Sequence, residues 1–269
     1  MHPVLPMLVL GLCCGACDAT DGPLLVRVDA ATPPPEGAVR PGMSLQYQIT
    51  GELDLDVDAD LYVTDLFDTD APQIGELHAA ERLVMAYVSV GSLENWRPDA
   101  ASVPRAAVGQ ALASYPNESW LDIRRSEVRA LMRSRLDRAV SKGFDGVFAS
   151  TLGVYRATSG FTLTRADELD YAEFLAAEAH ARNLSIGLSG AFELATELAE
   201  HYDWAIATSC IERGTCAELA PLSAAGLPVF DLETSAETER AAVCNQARSL
   251  GITVTFKRRG FDAYQAGCP

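Results

Sequence analysis

From Leu83 to Phe256 the chain repeats one unit. A short apolar run able to form a buried strand is followed by a stretch whose apolar residues recur at helical spacing. This alternation constrains the fold more than any other feature, because strands that alternate with helices pack as a parallel sheet with helical crossovers. The clearest unit is centred on Gly143-Phe144-Asp145-Gly146-Val147-Phe148-Ala149-Ser150-Thr151. Ahead of it, Val128, Leu131, Met132, Leu136, Ala139 and Val140 trace one helical face, with Ser126 as N-cap and Gly143 as the stop. Behind it, Thr164 and Asp167 form a capping box for a helix whose buried face is Leu169, Ala172, Leu175 and Ala179. Strands are expected over 45–49, 61–67, 83–92, 145–149, 184–188, 204–207, 228–232 and 252–256. Further helices are expected over 71–82, 192–200 and 216–225, with a last one capped by Thr234 and Glu237 and running to Leu250. Eight strands alternating mostly with helices in about 225 residues predict an α/β fold, a (β/α)8 TIM-type barrel. A doubly wound open sheet is the alternative. No Gly-x-Gly-x-x-Gly and no phosphate-binding loop follows any strand, so neither a nucleotide nor another cofactor is expected. The connection 93–122, with Pro98, Pro104 and Pro116, is too long to be idle in a compact domain.

Three segments are expected along the chain: a signal peptide over 1–17, a Pro-rich tether over 18–42 and the barrel over 43–269. The run Leu5 to Leu12 has signal-peptide length and is too short to span a bilayer. Gly15-Ala16-Cys17 resembles the end of a bacterial lipoprotein signal, which makes Cys17 the expected lipid anchor and the only expected link to a membrane. The destination is then the bacterial cell envelope or the exterior. Four downstream cysteines in an exported chain allow three pairings. The short spacing of Cys210 and Cys216 suits a local staple, and Cys244 with Cys268 would tie the last helix to the C-terminus. Zinc is the rival reading, but there is no Cys-x-x-Cys and the histidines lie far from the cysteines in sequence, so no metal is expected. The formal charge of −16 argues against a nucleic-acid partner and suits a cationic ligand or simply a soluble surface.

In a barrel the chemistry lies at the C-terminal tips of the strands. The tips read Gln48, Asp65, Tyr87 with Ser89, Ser150 with Thr151, Ser189, Thr208 with Ser209, Glu233 and Lys257. Serines at such positions also serve as turn residues, Lys257 could be a solvated end beside Arg258 and Arg259, and both acids could act as local caps. A glycosidase needs two carboxylates about 5–5.5 Å or about 6.5–9.5 Å apart. Asp65 and Glu233 are the only tip carboxylates, and they stand on non-adjacent staves. No histidine occupies a tip, which disfavours a serine or cysteine nucleophile.

Tyr87-Val88-Ser89-Val90-Gly91-Ser92-Leu93-Glu94-Asn95-Trp96-Arg97-Pro98-Asp99 closely resembles the signature of glycoside hydrolase family 114, the endo-α-1,4-polygalactosaminidases. Members typically read Cys-Tyr-Phe-Ser-Ala-Gly-Ser-Tyr-Glu-Asp-Trp-Arg-Pro-Asp there. The likeness continues through Asp54–Phe67, Trp120–Arg124, Lys142–Val147, Ala177–Leu188, Cys210–Cys216 and Phe256–Arg259. It implies a (β/α)8 barrel, export, and a polysaccharide rich in partly deacetylated, hence cationic, galactosamine. The departures fall at strand tips. Where the family has Glu-Pro-Asp-Asn this chain has Phe148-Ala149-Ser150-Thr151. Lys-Asn-Asp is replaced by Ser189-Gly190-Ala191, and Asn-Glu-Gln by Ala207-Thr208-Ser209. By the resemblance, Ser150 and Thr208 occupy the positions of the catalytic Asp and Glu, and a hydroxyl can neither protonate a leaving group nor stabilise an oxocarbenium-like transition state by charge. The expectation is a pseudoenzyme that binds glycan with Asp65, Tyr87, Ser89, Trp96, Glu233 and Lys257. Trp96 could instead pack the loop. One alternative is an active hydrolase using Asp65 and Glu233. Another is an envelope interaction module without a glycan ligand, which a pocket filled by Phe148 would favour.

Overall fold

The computed structural model describes residues 38–234 and 237–268. The expected signal segment, Cys17 and nearly all of the expected tether lie outside the described residues. The elements in chain order are β1 (Leu45–Gln48), β2 (Leu61–Asp65), α1 (Ala71–Ala79), β3 (Leu83–Ser89), β4 (Ser92–Glu94), β5 (Val108–Ala111), β6 (Glu118–Leu121), α2 (Ser126–Lys142) and β7 (Gly146–Leu152). They continue with α3 (Arg165–His180), β8 (Ser185–Gly190), α4 (Ala195–Leu198), β9 (Trp204–Thr208), α5 (Cys210–Arg213), α6 (Ala220–Ala224), β10 (Val229–Glu233), α7 (Arg240–Leu250), β11 (Thr253–Phe256) and β12 (Ala266–Gly267). The principal sheet runs β1-β2-β3-β7-β8-β9-β10-β11-β12. Every pairing from β1 to β11 is parallel, and β12 adds antiparallel to β11. First and last parallel strands meet through side chains: Thr255 Oγ1 donates to the Leu45 carbonyl at 3.2 Å and Lys257 Nζ to Gln46 Oε1 at 3.0 Å. The result is the curled parallel sheet of a (β/α)8 TIM-type barrel, in which the expected strands recur in the expected order.

Two apolar layers hold it. Leu45, Tyr47, Leu61, Val63, Met85, Phe148, Trp204, Ile206, Phe230 and Leu232 fill the interior, while the opposite strand faces pack against α1, α2, α3 and α7. A parallel strand buried on both faces reads as a continuous apolar run, which is what the sequence shows at β3 and β7. Gly187 makes room for the largest interior ring, since a Cβ there would sit 2.5 Å from Trp204. Val39 is already buried against the interior cluster, so the packed domain begins ahead of Met43.

Local details refine the sequence reading. The Thr164–Asp167 capping box forms, and Gly143 ends α2 in the left-handed conformation. Ser126 is the first residue of α2 rather than its cap, and Arg125 at the cap position makes no side-chain capping bond. Val140 is 47% exposed and drops out of the buried face, which includes Arg135 instead of apolar residues alone. The last helix starts at Arg240, behind a 3-10 turn over Glu237–Glu239, so Thr234 does not cap it. The proline-rich connection folds into a separate antiparallel sheet, β4-β6-β5, that rises beside the barrel mouth.

Both expected disulfides are present, Cys210–Cys216 with Cα atoms 4.8 Å apart and Cys244–Cys268 at 5.6 Å. The second closes the longer loop, 24 residues in separation, and so restricts the unfolded chain more. Replacing Cys244 and Cys268 together by serine is expected to cost about 2–4 kcal/mol, read as a lower denaturation midpoint with a steeper slope, because the uncrosslinked unfolded chain exposes more surface.

Candidate functional site

A cleft of about 770 Å³ opens at the C-terminal ends of the barrel strands. Its floor is aromatic. Phe148 lies nearly parallel to Trp204 with centroids 5.7 Å apart, and Tyr47 meets Phe148 and Phe261 edge-on at 5.8 and 5.1 Å. Phe148 therefore paves the cleft without filling it. Tyr87, Ser150, Thr151, Ser189 and Thr208 project from strand tips into its wall. At the rim Trp96 is 55% and Tyr115 59% exposed, two open rings of the kind sugar faces stack on. The exposure of Trp96 is the opposite of what loop packing would give.

One wall is acidic. Asp65, Asp68, Glu94 and Glu118 all line the cleft. Arg97 lies between two of them. Its Nη1 and Nη2 donate to the Asp65 carboxylate at 2.8 and 2.5 Å, and its Nε and Nη2 donate to Glu94 at 2.7 and 2.8 Å. Burial opposes the charged guanidinium, but the bonds to Glu94 and Asp65 outweigh it and hold its ionisation above that of a free arginine. The loop carrying Arg97 is anchored from below by buried Arg135, which donates to Asp99 at 2.9 and 3.0 Å and to the Ser89 carbonyl at 2.9 Å. Glu118 comes from β6. It accepts from Ser92 Oγ at 2.6 Å, and burial, reinforced by the neighbouring charge of Glu94, pushes its carboxyl above the ordinary glutamate range.

Hydroxyls line up behind the wall. Ser89 Oγ lies 2.6 Å from Ser92 Oγ and 3.2 Å from Thr151 Oγ1, so a hydroxyl chain runs from the tip of β7 to Glu118. Three residues just past or at strand tips are left-handed without being glycine: Thr151 (φ 70°), Ala191 (φ 49°) and Ser209 (φ 54°). Such backbone costs energy for an alanine and more for a β-branched residue, whereas Asn and Asp tolerate it.

The structure thus brings Asp65, Tyr87, Trp96, Ser150 and Thr208 to one cleft. Ser89 is fully buried behind the wall. Glu233 does not line the cleft. It is 0% exposed, and its Oε1 accepts the backbone N–H groups of Ile211 and Glu212 at 2.9 and 3.2 Å. Burial and its contact with Glu233 push the carboxyl of neighbouring Asp231 above the ordinary aspartate range. This acidic pair braces the start of α5 and the Cys210–Cys216 loop, as Asp231 also accepts Cys210 N at 3.1 Å. Lys257 is also buried and opens toward a different, smaller cavity. Of the lining groups, Arg97, Glu94, Glu118 and Tyr115 escaped the tip-by-tip reading, because they stand on the loop and small sheet between β3 and α2. The signal available for the first two was the motif Ser92–Asp99 itself.

The family model for glycoside-hydrolase family GH114 matches residues 28–269. Ega3 from Aspergillus fumigatus, solved in complex with galactosamine, is 33% identical to this chain. The match covers 86% of this chain and 96% of Ega3, with a TM-score of 0.82. The glycoside hydrolase domain of PelA from Pseudomonas aeruginosa is 16% identical over 84% of this chain and 99% of its own, with a TM-score of 0.68. The α-galactosidase TtGalA from Thermus thermophilus is 12% identical over 81% and 58%, with a TM-score of 0.57, and shares the fold. No curated protein is matched by sequence.

Proposed function

Because the chain belongs to glycoside-hydrolase family GH114, we propose that it is an exported barrel that binds a galactosamine-type polysaccharide without hydrolysing it. One observation carries this reading. An open, aromatic-rimmed and acidic cleft persists where the two strand tips expected to bear the catalytic acids hold Ser150 and Thr208. The aromatic rings supply stacking faces, and the carboxylates of Asp68, Glu94 and Glu118 supply counter-charge for the amino groups of such a polymer. Relatives of known structure include one complexed with galactosamine, which supports the ligand class. The left-handed backbone at Thr151 and Ala191 supports descent from a hydrolytic site, since by the resemblance the family pattern places Asn and Asp at these positions. The alternative pair Asp65 and Glu233 finds no support in a Glu233 buried on the helix side of β10 and bonded to the α5 backbone. Two disulfides suit an oxidising, extracytoplasmic setting, and attachment through Cys17 is part of the proposal. Among the described residues no helix is long and apolar enough to cross a membrane.

Binding should depend on pH through Glu118. Its raised ionisation means that its negative charge is lost on acidification earlier than for an exposed glutamate. A cationic ligand favours the ionised form, so affinity rises with pH through that ionisation. Calorimetry with galactosamine oligomers is expected to show affinity falling about three- to tenfold from about pH 7 to about pH 5, and Glu118→Gln should flatten that slope. A slope identical in the variant would remove Glu118 from the binding wall.

A further inference from the structure

A second cavity of about 380 Å³ lies beside the main cleft, at the ends of β10 and β11, lined by Thr234, Arg240, Lys257, Arg258, Arg259 and Tyr264. Four of these six are cationic, on a chain whose formal charge is −16. Such crowding of like charge is unfavourable unless counter-charge is supplied. Little is supplied from within. Among the described residues, the carboxylate paired with this group is Asp262, 3.5 Å from Arg258, and Arg259 has no ion-pair partner. Arg240 is held in a fixed orientation, its guanidinium 5.0 Å from the centre of the Phe256 ring and its Nη2 2.5 Å from the Tyr264 hydroxyl, yet its buried Nε has no hydrogen-bond partner. Lys257 donates to Gln46 Oε1 and to the Asp262 carbonyl at 2.8 Å, which leaves one of its three ammonium donors unassigned. Its contacts are to neutral oxygens, and burial pushes it down to about 8. An anion seated here would supply the missing counter-charge.

We propose that this cavity is an oxyanion site, built for a single phosphate or carboxylate group carried by a sugar. The position agrees with the general behaviour of the fold, because β10 and β11 are the seventh and eighth parallel strands, and the loops after these strands form anion sites in many barrels. Planar guanidinium groups beside an ammonium and two hydroxyls match the donor demand of a tetrahedral or planar oxyanion. Arg259 lines both this cavity and the main cleft, so the anion lies next to the glycan groove. The oxyanion assignment stands independently of what the main cleft binds, whereas the sugar that carries the anion rests on the glycan reading of that cleft.

Calorimetry at low ionic strength in chloride buffer, with inorganic phosphate and with galacturonate as separate titrants, tests it. Saturable binding of one equivalent is expected for at least one titrant, weakened about five- to tenfold by Arg258→Gln and by Arg240→Gln. The tighter titrant assigns the oxyanion, phosphate or carboxylate. Arg258 is largely exposed and outside the main cleft, so its variant should fold and keep galactosamine binding unchanged. It decides the matter alone if Arg240→Gln does not fold. Absence of saturable heat with both titrants, or heats unaffected by Arg258→Gln, would overturn the proposal.

Discussion

Arg97→Met is expected to cost about 3–5 kcal/mol of stability, the largest loss of any single substitution at the barrel mouth. Arg97 and its two partners have side chains only 5–6% exposed, so the variant leaves Asp65 and Glu94 as uncompensated buried charges. Methionine offers them neither donor nor charge. The guanidinium also sits 4.9 Å from the centre of the Phe67 ring, a contact methionine replaces only in part. Arg97→Lys should recover a minor share, because an ammonium cannot bond two carboxylates in the fork geometry of arginine. Guanidinium unfolding at neutral pH would read the loss as a shift in midpoint. A variant within about 1 kcal/mol of the parent would show that the acidic wall does not depend on this triad.

The second large effect is a gain. Ser150→Asp combined with Thr208→Glu is expected to raise reducing-end release from polygalactosamine at least about 10²-fold over the parent chain. The two positions stand at the tips of β7 and β9 with β8 between them, and both line the cleft. Strands two apart lie roughly 10 Å from one another, so inward-reaching carboxylates fall within the span that a glycosidase pair requires. Each single substitution should stay near background, since acid and nucleophile or base act as a unit. The left-handed residues beside them, Thr151 and Ser209, already hold the backbone in an unusual conformation, so no remodelling of the tips is demanded. A double variant that folds, binds and stays silent would mean that the cleft has lost more than its acids.

The barrel was legible because its information is periodic. Apolar runs, helical faces, Gly143 and the Thr164 cap are local signals, and parallel strands buried on both faces write them strongly. The cleft wall was not, because it is assembled from distant segments. Arg97 joins β2 to the loop after β4, and Glu118 arrives on a short strand whose polar, proline-flanked sequence has no clear alternation. Glu233 failed as a cleft residue for a reason of parity. Leu232 belongs to the barrel interior, so Glu233, like Asp231, faces the other side of β10 and bonds the α5 backbone. Counting alternation along β10 rather than taking its last polar residue would have placed it there. The C-terminal tip Lys257 carried the right charge for a site, but for the neighbouring cavity.

We propose that this family member kept its cleft and gave up its chemistry. The direct measurement is calorimetric titration of the purified chain with galactosamine oligomers, followed by mass analysis of the same mixture after prolonged incubation. Saturable heat with oligomers recovered intact is the predicted result. Shortened oligomers, or no heat at millimolar oligomer, would contradict it.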